Sequence, residues 1–294
     1  MYCMPLQLAE GSEAAGREDA PAKSEEQRCE RGTCSLTTIV AISAVSTSLL
    51  LLLAVVLLLL APWQEPAPSL FCFLLMQSDS YEVRLVQEQF DRGVGIFACD
   101  EYSAFSDMEL PLGSKTDLRA AAIPGPLRVR RDPRYNYALN TRVFLRVWSR
   151  VVADAKYRSS SWTVKVDPDT VFLPQRLRER LAEGPAHGAK LSFINCRFGL
   201  HGPIEVLSRS AVATLGAGMD RCRLERAVGL DTEGEDMFLS RCLDLLGVLQ
   251  VEDYGLLSEE ACMERPFPCR SGKVAFHPLK EANMFLQCLK QAGG

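Results

Sequence analysis

The chain has 294 residues, 47% of them hydrophobic, with a formal net charge of -4. That apolar content excludes a wholly disordered protein, and the length suffices for one large domain or two small ones. The negative balance removes the basic face that duplex nucleic acid demands, so no nucleic acid is expected as a partner.

Residues 1–36 are rich in Glu, Ala, Gly and Ser, show no apolar periodicity, and read as a disordered tail. TTIVAISAVSTSLLLLLAVVLLLLA, residues 37–61, then runs without a charge. As a helix rising ~1.5 Å per residue it would span about 37 Å, more than a ~30 Å hydrocarbon core. Cleaved signal peptides have apolar cores of only ~7–15 residues, so this run is read as a retained transmembrane signal-anchor. Lys23, Arg28 and Arg31 precede it, whereas the first basic residue after it is Arg84. The positive-inside rule therefore keeps the tail cytosolic and predicts a single-pass type II topology. Residues 62–68, within APWQEPAPS, form a short proline-rich stem, and 69–294 is one compositional unit.

Cysteine usage agrees with that topology. Cys3, Cys29 and Cys34 fall on the cytosolic side, leaving Cys72, Cys99, Cys196, Cys222, Cys242, Cys262, Cys269 and Cys288 beyond the membrane. An even number suits disulfides in an oxidising compartment, with 105 connectivities open. No CxxC pair is present, which argues against a zinc site.

Within the large unit, strand and helix signals alternate, predicting an α/β fold with a largely parallel sheet flanked by helices. VGIFACDE (94–101) is the first expected strand. Residues 138–157 place Val143, Phe144, Val147, Trp148, Val151 and Val152 on one helical stripe, with Arg142, Arg146 and Arg150 on another face. WTVKV follows as a strand, then a helix opened by Pro174 and closed by Gly184. KLSFIN (190–195) and PIEVLS (203–208) read as strands, the second leading into a helix that Ser208 can cap. EDMFLSRCLDLLG (235–247) is a helix with acids in its first turn and glycine after its last. GVLQVED and KVAF (273–276) are further strands, and PLKEANMFLQCLK closes as a helix.

WTVKVDPDTVF (162–172) ends its strand on Asp167 and Asp169, separated by Pro168. In extended chain, residues i and i+2 project to one side, so the carboxylates can converge, while Pro168 ends the ladder. Two negative charges within ~5 Å repel unless a cation sits between them or donors hold each. Hard oxygen ligands select Mn2+ or Mg2+, ions that keep positions open for phosphate oxygens. The site is thus expected at the carboxyl edge of the sheet, where open α/β sheets bind ligands. A bare acidic-x-acidic triplet is common; the apolar strand before and helix after distinguish this one.

The stretch YNYALNTRVFLRVWSRVVADAKYRSSSWTVKVDPDTVF resembles the core of the Fringe, core 1 β1,3-galactosyltransferase and β1,3-galactosyltransferase superfamily, whose members carry K-x-D-D-D-T after a strand. Lys165, Asp167, Asp169 and Thr170 match; Pro168 replaces the middle aspartate. GLHGPIEVLSRSAVATL (199–215), GEDMFLSRCLDLLGV (234–248) and VAFHPLK (274–280) follow in the family's order, with Met237 and Ser240 departing from its pattern. The likeness spans about 135–280. It implies an A-type glycosyltransferase fold, with Asp169 and His277 as direct metal ligands and Asp167 contacting the ribose or a metal-bound water.

The same resemblance makes Asp236, ahead of Glu235, the candidate base for an inverting transfer, although acids in a first helical turn need no such role. Asp100 and Glu101, after the first expected strand, are candidate contacts to uridine or ribose, with a plain turn as the alternative. His187 and His201 read as structural, and Arg128, Arg130, Arg131 and Arg134 as a solvated run. The expected activity is transfer of a hexose or N-acetylhexosamine from a UDP-sugar to a glycan or protein acceptor by a Golgi membrane enzyme with a luminal C-terminal domain. A second reading stays open: a non-catalytic type II membrane protein whose luminal domain binds a glycan or a partner.

Overall fold

LFCFLLM is apolar at every position, the pattern of a strand buried on both faces, and it forms β1 (Leu70–Met76) in a computed structural model of the chain. The structure describes residues 67–293 except 114–115, 185–187, 226–228 and 263–267, together with Leu53 and Val56. The expected tail, the rest of the anchor run and most of the stem lie outside the described residues. Among the described residues no helix is long and apolar enough to cross a membrane.

From Glu65 onward the chain is one unit. After β1 come α1 (Glu82–Arg92), a 3-10 turn (Gly95–Ala98), β2 (Glu101–Ser106), β3 (Leu110–Pro111), β4 (Arg119–Ala122) and α2 (Thr141–Asp154). Then follow β5 (Trp162–Val166), β6 (Val171–Phe172), α3 (Pro174–Ala182), β7 (Leu191–Ile194), β8 (Ile204–Ser208) and α4 (Arg209–Leu224). The last elements are α5 (Glu235–Leu245), β9 (Leu249–Glu252), β10 (Leu257–Ser258), β11 (Ala275–Phe276) and α6 (Ala282–Ala292). Eight strands make the main sheet in the order β3-β4-β2-β1-β5-β8-β7-β9, and β10-β11-β6 make a small one.

The α/β architecture is as expected, but the main sheet is mixed. β1 runs parallel to β2 and β5, β2 to β4, and β7 to β9, while β8 lies antiparallel to both β5 and β7 and β3 to β4. The reason is local: β7 and β8 are joined by a loop with no helix, and such a link returns the chain antiparallel. VGIFACDE is not a strand either. Its apolar part turns as the 3-10 helix, with Cys99 N donating to Ile96 O at 3.1 Å, and β2 begins only at Glu101. The true first strand, β1, abuts the stem and shows no alternation by which to recognise it.

Alternate residues of β1 feed two cores. Leu70, Cys72, Leu74 and Met76 join Trp162, Val164 and Val166 of β5, with Val86 of α1 and Leu177 of α3. Phe71 and Phe73 face the opposite layer with Trp148 and Val151 of α2, Val212 of α4 and Phe238 of α5. The predicted stripe of α2 is buried at Val143, Phe144, Val147, Trp148 and Val151, with Val152 partly buried beside it. Four disulfides pair the eight cysteines: Cys72–Cys99, Cys196–Cys262, Cys222–Cys242 and Cys269–Cys288.

Ser208 caps α4 as expected, its Oγ accepting from Ala211 N at 3.2 Å and from Leu191 N at 3.0 Å. Ser208→Ala should therefore cost about 1–2 kcal/mol, read as a lower midpoint in a denaturant melt. An unchanged midpoint would show that the cap contributes nothing.

Candidate active site

Strand β5 is buried at all five positions and stops at Val166. Thr170 N then donates to Asp167 O at 3.0 Å, closing a four-residue turn with aspartate first and proline second. Proline suits that second position because its φ is already set and its missing N–H is not needed there. The two aspartates therefore converge through a turn, and not through the extended chain that the sequence suggests. The Pro168 carbonyl is fixed by the buried Gln89 side chain at 2.8 Å.

The small sheet brings the third group. β11 pairs antiparallel with β6, Phe276 opposite Val171, and Leu279 N donates to Asp169 O at 2.8 Å. His277 Nε2 thereby lies 3.2 Å from Asp169 Oδ1, and Tyr81 donates to Asp169 Oδ2 at 2.9 Å. One ligand atom each of Asp167, Asp169 and His277 falls within 4.8 Å of the other two. Two carboxylates and an imidazole at that spacing can hold a metal ion.

These residues edge an open cleft of about 330 Å³, at the carboxyl ends of β1 and β5, whose wall also carries Tyr81, Glu82, Arg131 and Lys280. Burial, with help from the charges of Asp167 and Asp169, pushes the Glu82 carboxyl up to about 7, although Gln77 N opposes this. Larger hollows of about 430 and 420 Å³ lie around Ser161 and Ser208 and around Phe172 and Arg176, without such an acidic group.

Behind Asp167 sits Lys165, wholly buried. Alternation along β5 turns both to the same face, and Lys165 Nζ lies 2.7 Å from Asp167 Oδ1, 2.8 Å from Glu235 Oε1 and 2.7 Å from Gly202 O. It also stands 4.5 Å above the Phe144 ring. Burial would discharge this ammonium, but Asp167, Glu235 and Glu205 outweigh it and keep it charged. Glu205, directly across from Lys165 in the β5–β8 register, is pushed well up by burial and by Glu235. Neither Glu205 oxygen nor Glu235 Oε2 meets a hydrogen-bond donor among the described residues. A Cβ at Gly202 would meet Glu235 Oε1 at 2.9 Å, so a side chain there would push that carboxylate aside.

Glu235 is accordingly a buried anchor bound to Lys165. Asp236, the preferred base candidate, accepts from Gly202 N at 3.1 Å and Met237 N at 2.7 Å, with His201 Nδ1 3.3 Å away. Burial would raise its carboxyl, but His201 and the Met237 amide hold it below the usual range. The sequence alone reads His201 as structural and gives Glu259 no role. Burial would depress both imidazoles, yet flanking carboxylates hold His201 at about 10 and His277 at about 9, and both histidines keep Glu259 down at about 2 against its own burial. The only local signal for His201 was its place between Gly199 and Gly202 in a strand-to-strand loop.

Asp100 and Glu101 are not brought to this site. They stand at the amino end of β2, level with Leu70 and Phe71, whereas Asp167 leaves the carboxyl end of β5. Asp100 accepts from Leu70 N at 2.7 Å and pairs with Arg178 at 2.8 Å, and Glu101 pairs with Lys156 at 2.7 Å. Ser240, a departure from the family pattern, donates to Gln250 of β9 at 2.7 Å. His187 lies outside the described residues.

Fold and site together define an α/β protein with an acidic, cation-competent cleft at the carboxyl edge of its sheet. No protein-family model and no curated protein matches the chain. Among solved structures it is similar to one described as a glycosyltransferase involved in the glycosylation of the major capsid of PBCV-1, at 11% identity and a TM-score of 0.43, over 75% of this chain and 100% of that one. At that score the likeness is too slight to bear on activity.

Proposed function

We propose that the protein is a metal-dependent glycosyltransferase moving a hexose or N-acetylhexosamine from a UDP-sugar to a glycan or protein acceptor, with inversion. The observation that carries this reading is the meeting of Asp167, Asp169 and His277 within 4.8 Å at the mouth of the cleft. Bound Mn2+ or Mg2+ would supply the positive charge that offsets the charge developing on departing UDP. Arg131 and Lys280, in the cleft wall, add attraction for the diphosphate. Asp236 takes the proton of the acceptor hydroxyl as its oxygen attacks the anomeric carbon. In this reading residues 37–61 anchor the protein in the Golgi membrane with the site luminal, and four disulfides support an oxidising compartment.

One observation favours the non-catalytic alternative: both oxygens of Asp236 are already engaged and its acidity is increased, which weakens it as a base. The full-length chain, assayed for UDP release from a panel of UDP-sugars, should turn over with Mn2+ and lose at least ~100-fold of its rate in EDTA. Binding of UDP and Mn2+ without release of UDP to any acceptor would select the binding protein. A chain that binds no UDP under any metal would refute the enzyme and favour the glycan- or partner-binding protein.

A further inference from the structure

Glu259 has no part in the roles assigned above, yet it lies between the two halves of the site. Register puts it there. Ser258 of β10 pairs in parallel with Phe276 of β11, so the next residue of each strand, Glu259 and His277, leaves the sheet side by side. His277 N donates to Ser258 O at 3.1 Å and secures the rung.

From the other side comes the loop between β7 and β8, which carries His201. Its backbone is clamped by Asn195, which accepts from His201 N and donates to His201 O, both at 2.8 Å. The Cys196–Cys262 disulfide ties that loop to the segment bearing Glu259. A single oxygen, Glu259 Oε2, thus lies 3.2 Å from His277 Nδ1 and 2.9 Å from His201 Nε2. Both separations are within ion-pair reach. The remaining ring nitrogens face carboxylates: His277 Nε2 is 3.2 Å from Asp169 Oδ1, and His201 Nδ1 is 3.3 Å from Asp236 Oδ2.

We propose that Glu259 is a positioning residue for both halves of the site, presenting His277 Nε2 to the cation beside Asp167 and Asp169 and, through His201, holding Asp236 towards the acceptor. This rests on the metal-dependent glycosyltransferase reading. An imidazole that ligates through Nε2 keeps its proton on Nδ1, and a carboxylate facing Nδ1 fixes that tautomer and the ring's rotation. The same oxygen faces the Nε2–H of His201, whose opposite edge touches Asp236. Removing it leaves two imidazoles side by side with no anion between them.

The chain has three histidines, so its imidazole nitrogens can be assigned one by one. In the metal-free full-length protein, Glu259→Leu should move the 15N resonances of both His201 and His277 and leave His187 in place. Movement of only one, or of neither, overturns the bridge whatever the enzyme does. With Mn2+, free-ion paramagnetic resonance should show affinity reduced ~10–100-fold in Glu259→Leu and partly restored in Glu259→Gln, which keeps an oxygen acceptor. At saturating Mn2+, kcat should stay at least ~10-fold down, because the His201 arm is not repaired by metal. Mn2+ affinity and kcat within twofold of the parent would also overturn the proposal. Should Glu259→Leu not fold, the isosteric Glu259→Gln is read alone, with the same two resonances as its measure. A parent chain that binds no Mn2+ refutes the metal-dependent reading, while the imidazole spectra still decide the bridge.

Discussion

Lys165→Met should lower the melting temperature of the full-length chain by roughly 6–20 °C. Removing one partner of a buried ion network costs ~3–5 kcal/mol, and a domain of this size shifts ~2–4 °C per kcal/mol. The large effect follows from what is left behind: Asp167, Glu235 and Glu205 would face one another without a counter-ion in a region Lys165 now fills completely. The repair is equally specific. Adding Glu235→Gln removes one stranded charge and should restore part of the loss, giving a coupling energy measurable by a double-mutant cycle. The pH dependence has a definite sign. Burial raises Glu205 and Glu235 in the folded protein, so folding takes up protons there, and the variant should be least impaired in acid and most impaired as pH rises. A melting temperature within 2 °C of the parent would show that the network contributes no net stability.

Lys165 also shows where the sequence was legible. A lysine within an apolar strand, two residues before an aspartate, belongs on the same face as that aspartate, and this is where it lies. The stripe of α2, the Ser208 cap and the start of α5 were likewise readable, because each depends on neighbours within a few residues. Strand direction was not, since the antiparallel placement of β8 depends on how a nine-residue loop, 195–203, folds back. The pairing of Cys196 with Cys262 and the meeting of His201 with Glu259 share one cause: they join loops remote in the chain, and nothing local marks the partner. Asp100 failed for the opposite reason. An acid beside a strand looks the same at either end of it, and here the strand begins after the acid.

Asp169→Asn should lower Mn2+-dependent turnover at least ~100-fold, about 3 kcal/mol of transition-state stabilisation. The substitution keeps size and shape but removes the charge that faces His277 Nε2 and accepts from Tyr81. Asp169 accepts from Leu279 N, beyond β11, through its carbonyl and from Tyr81, the residue before α1, through its side chain. Two variants locate the effect. His277→Ala should weaken Mn2+ binding in the same direction, because it deletes the only nitrogen of the trio. Asp100→Asn should leave turnover within twofold, since its carboxylate serves Leu70 N and Arg178 at the other end of the strands. Far-ultraviolet dichroism and intact disulfides would confirm that each variant is folded. Equal losses in Asp169→Asn and Asp100→Asn would assign the acidic turn a structural role and remove the cation from the mechanism.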